Sequence, residues 1–116
     1  MAKVHFFYST MNAGKSTALL QSNHNYKENN LNTLLFIPVE IGSVSGGKII
    51  SRIGLSADAI IFDKEYKVYK NIKNHKKNIS CLFVDEAQFL SQKQVHDLGK
   101  VADKLNIPVM CYGIRT

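Results

Sequence analysis

The sequence predicts an α/β fold: one parallel sheet with helices on both faces. Three observations carry this. Short apolar runs alternate along the chain with longer amphipathic stretches. Several of those runs are apolar at nearly every position, as strands covered on both faces are. The chain has 116 residues, 45% of them apolar, which is the size of one domain with a modest core.

The elements follow in order. "VHFFYS" (4–9) reads as the first strand, and residues 14 to about 29 as a helix ending near Asn29 and Asn30. "NTLLFIPV" (32–39) is a second strand, stopped by Pro38. Residues 40–58 carry four glycines and four serines and read as a long, mobile loop. "AIIF" (59–62) is a short strand, and residues 64–77 a helix. "ISCLFVDE" (79–86) is a strand apolar at almost every position. Ser91, with Gln94 three residues on, is a capping box that opens the last helix. Val95, Leu98, Val101, Ala102 and Leu105 recur there at helical spacing. Asn106 ends it, and "IPVMCYG" (107–113) is the final strand. The whole of 1–116 reads as a single domain.

Composition narrows the function classes. No apolar run approaches a membrane span, and the N-terminus has no leader pattern. Cys81 and Cys111 each sit inside an apolar run, which reads as buried, reduced thiols in a cytoplasmic protein. The net charge is +6, with much of the excess in "KEYKVYKNIKNHKK" (64–77). Lysines so spaced decorate the solvated side of a helix, so charge alone does not argue for a nucleic-acid partner. A site for polyanionic phosphates uses positive charge equally well. The four histidines form no cluster at ligand spacing.

In a parallel α/β sheet, ligands sit beyond the carboxyl ends of the strands. Chemistry is therefore expected just after residues 8, 37, 62, 84 and 112. "YSTMNAGKST" (8–17) lies at the first of these, between a strand and a helix. Gly14-Lys15-Ser16 is the end of a phosphate-binding loop, although Ser9 stands where the usual pattern begins with glycine. Gly14 lets the backbone approach the phosphates, and the helix start favours anions. Lys15 supplies charge to the β and γ phosphates, and Ser16 a hydroxyl for Mg²⁺. This makes the fold a phosphate-loop NTPase type of sheet. At the fourth strand end, "CLFVDEAQFL" places Asp85 and Glu86 side by side. Neighbouring acids at a strand end point in different directions. Asp85 faces the phosphate loop and its metal, while Glu86 is free to act as a general base on an acceptor hydroxyl. D-E-A-Q also occurs in helicase-type motors, where the acids direct water at ATP, so an ATPase acting on nucleic acid stays open at this point.

Four ordered segments, "YSTMNAGKSTALLQ", "SRIGLSA", "LFVDEAQFL" and "IPVMCYGIRT", closely resemble the thymidine kinase family of the bacterial and cytosolic type. The likeness runs over nearly all of the chain. It implies ATP-dependent phosphorylation of the thymidine 5′-hydroxyl in deoxynucleotide salvage, with Mg²⁺. It implies that Ser9, Thr10, Met11, Asn12, Ala13, Gly14, Lys15 and Ser16 hold the ATP phosphates, together with Asp85, Glu86, Ala87 and Gln88. Ser16 and Asp85 serve Mg²⁺, and Glu86 is the catalytic base. Met11 and Phe89 pack near the thymine ring, with core packing the competing role for Phe89. Arg52 matches the "SRIGL" part of the pattern. The family implies a homotetramer, with thymidine and ATP as partners and neither membrane nor nucleic acid. Two departures stand out. Bacterial relatives carry Asp-Asp-Arg after the second strand, where this chain has Gly42-Ser43-Val44. The family also continues into a base-enclosing lid and a four-cysteine zinc site, so no zinc site is expected within this chain. A truncated remnant that binds ATP–Mg²⁺ without phosphorylating anything is therefore a further alternative.

Overall fold

The computed structural model describes residues 2–9, 15–75 and 77–114. Five parallel strands form one sheet in the order β1-β7-β6-β2-β5. They are β1 (Val4–Ser9), β2 (Thr33–Pro38), β5 (Ile60–Phe62), β6 (Cys81–Val84) and β7 (Val109–Ile114). The helices are α1 (Lys15–Glu28), α2 (Val39–Ser45), α3 (Val68–Lys73) and α4 (Gln92–Leu105). A separate antiparallel hairpin pairs β3 (Lys48–Ile50) with β4 (Ser56–Asp58).

Alternate residues of the central strands feed two cores, one on each face. On one face Leu35 and Ile37 of β2, Phe83 of β6 and Tyr112 of β7 pack with Leu19 and Leu20 of α1 and Ile49 of β3. On the other, Phe36, Leu82, Val84 and Cys111 pack with Val68 and Ile72 of α3 and Leu98 and Val101 of α4. The expected sheet covered on both sides is therefore present at its centre.

β1 departs from that expectation. Its sequence is as apolar as a central strand, but it lies at an edge and pairs only with β7. Phe6, Phe7 and Tyr8 remain 38%, 46% and 44% exposed.

Residues 40–58 also depart: most of them are ordered as α2 and the β3–β4 hairpin. Their glycines have local duties that composition hides. A Cβ on Gly42 would lie 2.9 Å from Ile61 Cγ1 and 3.0 Å from Ile37 Cγ2, so α2 can sit on β2 and β5 only with glycine there. Gly46, at φ 70°, caps α2 and returns its N–H to the Gly42 carbonyl.

The helix expected over 64–77 contracts to α3, because Asp63 starts a turn instead. Its Oδ1 accepts from Glu65 N at 3.0 Å, and its carbonyl from Tyr66 N at 3.2 Å. The lysines of this segment that are described, Lys64, Lys67, Lys70, Lys73 and Lys77, are exposed as expected.

α4 begins where the capping box places it. Gln94 N donates to Ser91 Oγ at 3.1 Å, and Ser91 N to Gln94 Oε1 at 3.0 Å. Gln94 is buried, and its Nε2 also donates to the Asp63 carbonyl at 2.6 Å, which ties α4 to the turn before α3. Leu98, Val101 and Ala102 are buried as their spacing predicts, while Val95 faces outward. Asn106 ends the helix in the left-handed conformation.

Candidate phosphate and metal site

The site forms at the carboxyl ends of β2 and β6, beside the first turn of α1. β6 is fully buried, and Asp85, the residue after it, is only 3% exposed. Asp85 is held from three directions. Its N–H donates to the Phe36 carbonyl at 2.9 Å, extending the pairing with β2. Its Oδ1 accepts from Glu86 N at 2.9 Å. Its Oδ2 accepts from Ser16 Oγ at 3.2 Å. The last contact joins two residues 69 positions apart in sequence, each singled out above for the same metal. A hydroxyl and a carboxylate so placed are hard oxygen donors. They fit Mg²⁺, which takes one or two protein oxygens and fills its shell with water and phosphate.

Glu86 turns the chain sharply, at φ 53° and ψ 49°. The left-handed region is unusual for a residue with a long side chain, and such strain gathers at functional turns. Asp85 and Glu86 both line the cavity described below, and each has its own hydrogen-bond partner: Ser16 for Asp85 and Gln88 for Glu86. Gln88 Nε2 donates to Glu86 Oε1 at 2.7 Å, and Gln88 Oε1 accepts from Ile114 N at 3.1 Å. Gln88 thus ties the acid to the end of β7. Gly113 makes room for this bridge, since a Cβ there would lie 2.9 Å from Gln88 Oε1 and 3.1 Å from Tyr8 Cε1. Sequence reasoning missed the need for Gly113. Its only signal was a glycine at the end of an apolar strand.

A cavity of about 250 Å³ opens against this wall. Ser16, Thr17, Asp85 and Glu86 line one side. Ser45, Lys48, Ser51 and Arg52 line the other. The sequence marks Arg52 only as a match to the family pattern, with no role assigned, and does not single out Ser45, Lys48 or Ser51.

Other expected residues fall outside the cavity lining. Ala87 is buried in the core beneath α4. Phe89 is half-buried, and its carbonyl accepts from Lys64 Nζ at 3.4 Å. Thr10, Met11, Asn12, Ala13 and Gly14 lie outside the described residues. So do the side chains of Ser9, which ends β1, and Lys15, which begins α1.

Both cysteines are buried and unpaired by disulfide. Burial pushes the Cys81 thiol from 9.0 up to about 11, against a smaller opposing effect of its hydrogen bond with Tyr26. Burial, helped by Cys81, pushes Cys111 from 9.0 up to about 12. Neither is poised as a thiolate nucleophile. Among the described residues no helix is long and apolar enough to cross a membrane.

Residues 2–116 match the family model described as thymidine kinase. The chain belongs to the thymidine kinase family. The thymidine kinase of Haemophilus influenzae strain KW20 is 52% identical over 118 aligned residues, which take in all of this chain and 61% of that protein. Those of Mannheimia succiniciproducens and Coxiella burnetii are 50% and 51% identical, again over all of this chain and 60% and 61% of theirs. The chain therefore spans about three-fifths of the length of these curated thymidine kinases.

Proposed function

We propose that this chain is the phosphate-handling part of a cytoplasmic thymidine kinase. It binds ATP and thymidine and transfers the γ-phosphoryl group to the 5′-hydroxyl, within a homotetramer. The observation that carries this reading is the hydrogen bond from Ser16 Oγ to Asp85 Oδ2 at 3.2 Å. It brings the end of the phosphate-loop motif and the strand-end acid to one point.

In this reading Ser16 and Asp85 hold Mg²⁺, which when bound neutralises charge on the phosphates. Residues 9–16 wrap the phosphates, with Lys15 as their cation. Glu86 takes the proton of the 5′-hydroxyl as that oxygen bonds to the γ-phosphorus and the bond to the departing ADP oxygen breaks. Gln88 keeps the Glu86 carboxylate aimed, anchored by the β7 backbone. Met11 and Phe89 flank the thymine ring.

The test is transfer of labelled phosphate from ATP–Mg²⁺ to thymidine by the purified chain. Glu86→Gln is expected to lower turnover by about 10²- to 10⁴-fold, the usual worth of a positioned base, with ATP binding kept. A folded chain that binds ATP and transfers nothing would overturn transfer by these residues alone.

A further inference from the structure

The two sides of the cavity differ in charge. One carries the acids Asp85 and Glu86, and the other carries Lys48 and Arg52. The two cations are not equivalent. Lys48 Nζ already pairs with Asp58 Oδ1 at 2.9 Å. Arg52 has no hydrogen bond or ion pair among the described residues.

The turn that carries Arg52 is nevertheless well held. Ser51 is 7% exposed, and its N–H donates to the Leu55 carbonyl at 2.8 Å. Leu55 N donates back to Ser51 Oγ at 3.0 Å, and Gly54 N to the Ser51 carbonyl at 3.2 Å. Gly54, at φ 91°, closes the turn in a conformation that glycine tolerates. Ile49, 1% exposed, roots the hairpin in the core against α1. A free guanidinium is thus presented by a pinned turn to the cavity that also holds Ser16 and Asp85. Among the described residues, the buried Ser45 Oγ of the same lining has no hydrogen-bond partner.

We propose that Arg52 grips the terminal phosphate of a bound nucleoside triphosphate from the hairpin part of the cavity lining. This rests on the phosphate-site reading above. Arg52 lines the same cavity as the hydrogen-bonded Ser16–Asp85 pair, so a phosphate held at that pair shares the cavity with the guanidinium. An arginine fork suits two phosphate oxygens at once, which a lysine cannot match.

The test is fluorescence titration, in Mg²⁺, of the whole chain with two labelled nucleotides. Both carry an N-methylanthraniloyl group; one is ADP and the other the triphosphate analogue with an imido bridge between its last two phosphates. Arg52→Gln is expected to weaken the triphosphate analogue at least tenfold and ADP less than twofold. Arg52→Lys should recover part of the loss. Arg52 is exposed, so both variants should keep the parent's thermal melt. An equal effect on the two nucleotides, or none on either, would overturn the role of Arg52 and leave the phosphate site standing. If the unmodified chain binds neither nucleotide, the phosphate-site reading falls, and this proposal with it.

Discussion

The two walls of the cavity are built in opposite ways. The wall made by β6, β7 and the start of α1 is continuous with the sheet. Phe83 and Val84 lead into Asp85, all at 3% exposure or less; Asp85 accepts from Ser16 of α1, and Glu86 accepts from Gln88, which in turn accepts from the end of β7. The hairpin wall hangs mainly on one buried residue, Ile49. Its neighbours Ile50 and Ile53 are 56% and 68% exposed. Asp85 and Glu86, the acids proposed to hold a metal and take a proton, sit on the rigid wall. Arg52, the cation proposed to meet the terminal phosphate, sits on the hairpin, in a turn held by its own hydrogen bonds.

The largest expected effect breaks or keeps this contrast directly. Phe83→Ala removes a ring packed between α1 and the sheet and should destabilise the chain by about 3–5 kcal/mol. Ile50→Ala, on the hairpin, should change stability by no more than about 0.5 kcal/mol. Urea unfolding of the two variants measures both. Similar losses would mean that the hairpin is as much a part of the core as β6.

Much of this architecture was legible where the signal is local. The capping box at Ser91 and Gln94 marked the start of α4, and Asn106 marked its end, because both act within one turn of chain. Ser16 and Asp85 were legible because their motifs sit at strand ends, and the sheet then brings them together. What stayed hidden depends on neighbours distant in sequence. "VHFFYS" and "CLFV" read alike, yet one is an edge and the other the centre, and only the strand order separates them. The glycines of residues 40–58 suggested a loop in bulk. One by one, Gly42 is a packing contact, Gly46 a helix cap and Gly54 a turn. The link from Gln88 to β7 was invisible because it needs Gly113 and a backbone N–H, and neither announces a partner.

A second, smaller effect sharpens the picture of the rigid wall through its thiols. Cys81 and Cys111 hold their protons to about pH 11 and 12 when folded, against 9.0 for a free thiol. Unfolding releases those protons once the pH passes 9. The stability from keeping them neutral is therefore full below about pH 9 and is lost as the pH rises through 11 and 12. The expected loss is roughly 1 kcal/mol per cysteine for each pH unit above 9. Tyr26 and Tyr66 are also raised by burial, but from 10.0, so the interval between pH 9 and 10 reports chiefly on the cysteines. Urea midpoints at pH 8 and 10 measure the slope, and the double variant Cys81→Ala, Cys111→Ala should flatten it. A slope unchanged in that variant would place the alkaline weakness on groups other than the two thiols.

The smallest effect concerns what holds the hairpin in place. Lys48 Nζ and Asp58 Oδ1 are 2.9 Å apart across the β3–β4 pair, but the side chains are 51% and 89% exposed. Exposed pairs gain little, because water screens them and two side chains must be ordered to meet. Lys48→Met should therefore cost at most about 0.5 kcal/mol in urea unfolding, and raising the salt to about 1 M should erase the difference. The aliphatic stem of methionine keeps the packing of the lysine chain, so the comparison isolates the charge. A loss well above 1 kcal/mol that salt erases would show the hairpin latched by this ion pair rather than rooted by Ile49. Arg52 would then sit on a wall whose position depends on charge, and salt would weaken triphosphate binding twice, by screening the phosphates and by loosening the turn that reaches them.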